Sequence, residues 1–357
     1  GIQLHAFSDI FRRHYAVCGV VILDTQALCG RYRRIGGRLM KDNLYYKRMV
    51  RGASGVAVTV VRTVIIVGLC FILLYPLIYM VSMAFRPQSE ILDPSVIWIP
   101  RTFTLDNLKS VMEVMNYGGA LVNTFFISVV SSLLSVISCS IVGYGFARFR
   151  FKGRNLLFGL LIFTIIVPSQ TTIIPLFLNF RNFDFGFIGR IPELFGFEPW
   201  TVNLLNSLWT VYLPAVFASG IRSGLFIYIF RQFYKGLPVE LEDAAAVDGC
   251  GPIKTFLRVM IPLSSAAFIT VFLFSFVWYW NDYYYSGMFF TNGNTVTLAL
   301  SGLQDKLRTL NNGAYDPYLY VVSMQAGCLL VVLPPLLIYI VFQRYFTESI
   351  EKTGIVG

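Results

Sequence analysis

Charge is scarce in this sequence. Asp, Glu, Lys and Arg make up 13% of the 357 residues, against 56% hydrophobic, where a soluble domain carries roughly a quarter charged residues. That shortage excludes an ordinary soluble domain and places the chain in the membrane class. Histidine is scarcer still. His5 and His14 are the two present, which leaves little equipment for acid–base catalysis and argues against a membrane enzyme. Six cysteines occur, none in a CxxC pair. Cys70, Cys139 and Cys328 sit inside apolar runs, where a free thiol acts as a small hydrophobe. His5, His14, Cys18 and Cys29 do not follow a zinc spacing, so no metal site is expected. A phosphate-binding GxxxxGK[ST] loop is also missing. GYGFAR, from Gly143, has two glycines but no lysine. Nor do the apolar runs show a pair of carboxylates or an internal repeat, the features of a self-sufficient secondary transporter.

Long apolar runs, in contrast, are abundant. A spanning helix needs about 20 mainly apolar residues, and six segments qualify: roughly 60–84, 119–147, 156–180, 203–230, 261–290 and 319–343. The expected fold is therefore an all-α integral membrane protein with six transmembrane helices. Charge sets the orientation. The short 148–154 loop holds Arg148, Arg150, Lys152 and Arg154 and no acid, so it faces the cytoplasm. The 86–117 loop mixes three basic with four acidic residues and falls outside, as do 181–202 and 291–318. Residues 231–258 and both termini then fall inside. The net charge of +10 reads as cytoplasmic loops rich in Lys and Arg, with no nucleic-acid partner. Residues 1–55 read as a basic cytoplasmic extension, with no signal-peptide pattern. Residues 56–357 read as the membrane domain. Pro168, Gln170 and Pro175 interrupt the third span, and Pro214 and Arg222 the fourth. These are kinks in a packed bundle or the lining of a substrate path.

One cytoplasmic stretch differs in character. EDAAAVDGCGPIKTFLRVMIP runs from Glu242 to Pro262. Pro238 suits a first helical turn. Glu240, Glu242 and Asp243 then sit near the positive end of a helix dipole. Ala244, Ala245 and Ala246 favour helix and leave a thin surface. Gly249 can take the left-handed conformation that ends a helix. Pro252 starts a second helix, with Ile253, Phe256, Leu257 and Met260 on one face. Two short helices joined by a glycine turn have no nucleophile, metal cluster or phosphate cradle. They suit docking: small residues permit close approach and acids face a basic partner. An amphipathic helix on the membrane surface is the alternative, disfavoured for the first helix by its acids.

This segment resembles the EAA loop of ABC-importer permeases, E-A-A, three residues, G, nine residues, I-x-L-P. Asp243, Ala244 and Ala245 hold the E-A-A positions, Gly249 the glycine, and Val259, Ile261 and Pro262 the last positions. Asp for Glu keeps the charge and shortens the reach. IFRQFYKGLPVELEDAAAVDG, residues 123–155 and the ending LPPLLIYIVFQRYFTESIEKTGIVG are similar to carbohydrate permeases of the maltose-transporter class. The resemblance runs from about residue 60 to the end. It implies a type I importer permease fold in the prokaryotic inner membrane. It further implies a partner ATPase dimer carrying ATP and Mg, a second permease chain, an external solute-binding protein and a sugar substrate, with no cofactor on this chain. The EAA loop, 236–262, would couple to the ATPase through Glu240, Glu242, Asp243, Ala244, Ala245, Asp248, Gly249 and Pro262. A permease for a non-sugar solute remains the alternative. Asn123, Gln170, Trp278, Trp280, Asn281 and Asp282 supply the amides, carboxylate and aromatic faces that sugars use and are candidates for the pathway. An aromatic belt at the outer interface is the alternative for residues 278–285.

Overall fold

The computed structural model describes residues 39–96, 98–186, 188–290, 295–314 and 316–354. His5, His14, Cys18 and Cys29 lie outside them. The chain divides at Tyr75 and Pro76 into two units. The first unit's described part belongs to helix α1 (Leu39–Ala84), so the helix of the first span begins inside the segment read as an extension. From residue 58 to 74 its apolar side chains occupy every side of the helix, as a helix bathed in lipid requires.

The second unit is helical, and no β-strand of more than a single bridge pair, Phe183 with Val202, occurs among the described residues. Its helices are α2 (Asp106–Val114), α3 (Tyr117–Arg148), α4 (Arg154–Ile166), α5 (Ser169–Arg181), α6 (Trp209–Val216) and α7 (Ser223–Gly236). After these come α8 (Glu240–Val247), α9 (Pro252–Leu263), α10 (Ser265–Trp280), α11 (Tyr284–Phe289), α12 (Val296–Ser301), α13 (Leu303–Leu310) and α14 (Pro317–Gly354).

Helix α3 is the hub, packed against α6, α7 and α10. Its buried face is made of small residues: Ser128, Ser131, Ser132 and Ser135 are all fully buried. Small side chains let helix backbones approach closely where lipid supplies no hydrophobic drive. Gly143 shows how close. A Cβ placed there would lie 2.7 Å from Phe230 Cβ and 3.2 Å from the Ile227 carbonyl oxygen on α7. The glycine that could not serve as a phosphate loop is a packing glycine. The opposite side of the unit is sealed by α14, which packs on α2 and α10 around Trp280, Phe276, Met115 and Val331.

Of the six expected segments three are continuous and three are broken, so that by length and composition three to five spans stand among the described residues. Segments at 58–84, 117–148 and 317–343 are continuous helices long and apolar enough to cross a membrane. The third becomes α4 and α5, bent by 103°, because Val167 and Pro168 are extended and Pro168 has no amide to continue the ladder. The fourth becomes α6 and α7, parted at residues 217–222, where Ala218 and Arg222 have φ of 52° and 58°. The fifth becomes α10 and α11, and α9 meets α10 at 78°. At about 1.5 Å per residue, α10 alone is shorter than the hydrocarbon core.

Candidate functional site

The cytoplasmic loop folds as two helices with a glycine turn. Helix α8 has Glu240, Glu242 and Asp243 in its first turn, where unsatisfied N–H groups favour negative charge. It begins two residues after Pro238, later than the proline signal suggests. At its other end Gly249 has φ +75°. The Cys250 N–H donates to Ala245 O at 2.9 Å and the Gly249 N–H to Ala246 O at 3.0 Å. This is the paired-bond stop that a left-handed glycine allows. Pro252 then opens α9.

Burial sorts the candidate residues. Ala245 is buried, whereas Glu240, Asp243, Ala244, Asp248, Gly249 and Pro262 are exposed. Glu242 is occupied within the chain: its Oε1 lies 2.7 Å from Arg148 Nε, and the two side chains are 19% and 10% exposed. Arg148 Nη2 also donates to the Leu237 carbonyl at 2.8 Å. Arg148 ends α3, so one guanidinium ties the hub helix to the residue that closes α7 and to the first turn of α8. Tyr144, one turn earlier, meets Tyr234 edge-to-face and Phe256 at a tilt, with ring centroids 5.6 and 4.9 Å away. The loop is thus seated on the bundle, with Asp243, Asp248 and the apolar Val247 and Ile253 facing outward. In the sequence Arg148 reads only as an orientation charge; its distance of 94 positions from Glu242 hides the pair.

The pathway candidates do not converge. Asn123 is half-buried on α3 and Gln170 exposed on α5. Residues 278–280 radiate in three directions, as steps of about 100° require. Trp278 points outward, with the Arg222 guanidinium 4.5 Å above its ring in a cation–π pair. Tyr279 turns into the bundle, its hydroxyl 3.2 Å from Ser135 Oγ. Trp280 is 1% exposed and donates its indole N–H to Val331 O at 3.0 Å, so it packs the core between α10 and α14 rather than lining a surface. Asn281 is exposed and bonds back to Val277 O. Asp282 is engaged as a helix cap, accepting from Tyr285 N at 3.1 Å, Ser286 N at 2.7 Å and Ser286 Oγ at 2.8 Å.

A cavity of about 340 Å³ lies where α5, the α6–α7 break and α11 meet. Asn179, Ser219, Tyr279 and Tyr285 are among its walls. Among the described residues no group of three His, Cys, Asp or Glu side chains is placed to hold a metal ion.

Comparison with known proteins accords with this architecture. Residues 139–352 match the family described as binding-protein-dependent transport system inner membrane component. The chain is 30% identical over 292 residues to the arabinooligosaccharides transport system permease protein AraQ of Halalkalibacterium halodurans, covering 81% of this chain and 93% of that one. It is 28% identical over 281 residues to the lactose transport system permease protein LacG of Rhizobium radiobacter, covering 78% and 90%. Its fold is similar to a chain in the crystal structure of a bacterial ABC transporter involved in the import of the acidic polysaccharide alginate. That likeness has a TM-score of 0.60 at 20% identity, over 82% of this chain and 98% of that one. The chain belongs to the family of binding-protein-dependent inner membrane components: it is a permease subunit of an ABC importer, a transport protein of the prokaryotic cell membrane.

Proposed function

We propose that this permease forms half of a translocation pathway for a sugar or oligosaccharide and receives its energy at the cytoplasmic loop from an ATPase subunit. The observation that carries the reading is the acid-capped helix α8, closed by Gly249 and fixed to α3 through Arg148. A helix held so firmly at its base, with its acids and Val247 outward, is suited to transmit a partner's movement. Asp243 would pair with a basic residue of the ATPase, and Ala244 would lie at the contact, where bulk is not tolerated. ATP and Mg would reside on that partner, with no cofactor on this chain. A second permease would complete the pathway and an external binding protein would deliver the solute. The sugar class is supported by the relatives, an arabinooligosaccharide and a lactose permease.

The test is purification of the complex in mild detergent, reconstitution into vesicles, and ATP-driven uptake of arabinotriose, lactose and, as a non-sugar control, glycine. Uptake of a sugar and not of glycine is expected. Gly249→Arg should leave the complex assembled and hydrolysing ATP while uptake falls at least tenfold. Uptake at the normal rate in that variant would overturn the coupling role.

A further inference from the structure

The cavity beside the break in the fourth span is built rather than accidental. Four contacts fix the break. Ser138 on α3 donates to the Ala215 carbonyl at 2.6 Å. Ser219 N donates to the Pro214 carbonyl at 2.8 Å, and Ser219 Oγ reaches the same oxygen at 3.2 Å. Gly220 lies so close under Tyr279 that a Cβ there would collide with the tyrosine hydroxyl. That hydroxyl is itself held at Ser135. Two non-glycine residues, Ala218 and Arg222, are kept at positive φ to make the turn. Irregular backbone at membrane depth persists where it is buried in protein or lines a wet cavity, and this stretch lines one.

The walls have a particular chemistry. Asn179 brings an exposed amide from α5. Ser219 brings a hydroxyl with acceptor capacity left over, and Tyr285 brings an aromatic ring with a phenol. Pro175 and Phe289 add apolar faces. Donors and acceptors interleaved with apolar and ring faces match a pyranose or furanose, which has hydroxyls around its rim and C–H groups on its faces. No charged residue lines the space, so an ionised solute would find no counter-charge there. The volume is at the lower end of the range for small-molecule pockets, which run from about 300 Å³. α5 ends, and α6 and α11 lie, next to segments assigned to the outer side, so the cavity occupies the outer half of the membrane.

The geometry points to this cavity as a saccharide subsite of the permease itself, holding one sugar ring of the solute as it leaves the binding protein. Asn179 hydrogen-bonds the ring hydroxyls and Tyr285 covers a ring face. Asp282 is a positioning residue, since its carboxylate caps the helix that carries Tyr285 and Phe289. The inference rests on the sugar-importer reading and adds to it a place and a set of contacts.

The experiment uses the whole complex in vesicles, with arabinotriose and lactose as probes. Asn179→Ala and the cavity-filling Leu176→Trp are compared with Asn179→Gln, each first checked for assembly and for ATP hydrolysis without sugar. Asn179→Ala should raise the KM for uptake at least fivefold and change the ratio between the two sugars. Leu176→Trp should reduce uptake of both by tenfold or more, and Asn179→Gln should recover most of the loss. Normal KM and normal sugar ratio in the assembled Asn179→Ala and Leu176→Trp complexes, beside active wild type, would overturn the subsite and leave the importer reading intact. Failure of the wild-type complex to take up either sugar with ATP would overturn both.

Discussion

At the scale of single residues, two neighbouring acids of the cytoplasmic loop have different work. Glu242 faces inward to Arg148 and Asp243 is exposed. Removing one partner of a largely buried ion pair leaves an uncompensated charge, which costs about 3 kcal/mol. Glu242→Ala should therefore lower the thermal midpoint of the isolated chain, whether or not an ATPase is present. Asp243→Lys should leave that midpoint within a degree or two and weaken recovery of the ATPase on purification. If both variants unfold alike, or both only lose the partner, the division of roles is wrong. The sequence makes the acids, the alanines and Gly249 legible, because cap preference, helix propensity and left-handed φ are local properties. It does not separate Glu242 from Asp243. Which acid turns inward depends on the phase of α8 against an arginine at the end of a helix formed far earlier in the chain.

At the scale of elements, the aromatic run on α10 carries the same lesson. Composition marks Trp278, Trp280, Asn281 and Asp282 as sugar-like chemistry, but a helix distributes consecutive residues around its circumference. The Trp280 indole is committed to Val331 and the Asp282 carboxylate to the cap of α11, whereas Asn179, which the sequence gives no reason to single out, is exposed on the cavity wall. Trp280→Ala should then act as a core truncation, with a loss of about 3–5 kcal/mol seen as a lowered melting temperature and an unchanged ratio of transported sugars. A changed sugar ratio at unchanged stability would return Trp280 to the pathway. The span count shows the same limit. Apolar length finds the three continuous spans, and Pro168 and Pro214 flag where two of the broken segments bend. The turn at 217–222 also needs Gly220 to pass under Tyr279 and Ser138 to take the Ala215 carbonyl, contacts that appear once α3 and α10 are in place.

At the scale of the whole molecule, the outer face is held by carboxylates. Glu90 accepts from the Thr102 hydroxyl at 2.6 Å, the Arg101 amide at 2.9 Å and the Thr102 amide at 3.1 Å. These bonds, the Thr102 hydroxyl foremost, hold its pKa below the usual carboxylate value. Asp93 is likewise lowered, by Ser95 first. A depressed carboxyl pKa means that the folded loop binds its proton less readily than the unfolded one. The stabilisation is complete above the unfolded pKa of about 4.3 for glutamate and is lost as pH falls through the lower folded value. The loop should stay ordered from neutral pH to about 5 and loosen below 4, read as amide-exchange protection at Arg101 and Thr102. Glu90→Gln should lose protection at every pH. Protection that persists in wild type at pH 3 would contradict the clamp.

The tether between Arg148 and the cytoplasmic loop has a mechanical consequence. A load applied to α8 does not have to travel through residues 237–239, which join it to α7. It passes through one guanidinium directly into the long axis of α3, and α3 touches the helices on both sides of the broken fourth span. The linkage is stiff because its ions are largely sheltered from solvent, and for the same reason it is poorly screened by dissolved salt. Under the proposed coupling, the permease should thus behave as a lever whose pivot is indifferent to the ionic strength of the cytoplasm, even where the contact of its tip with an ATPase is not.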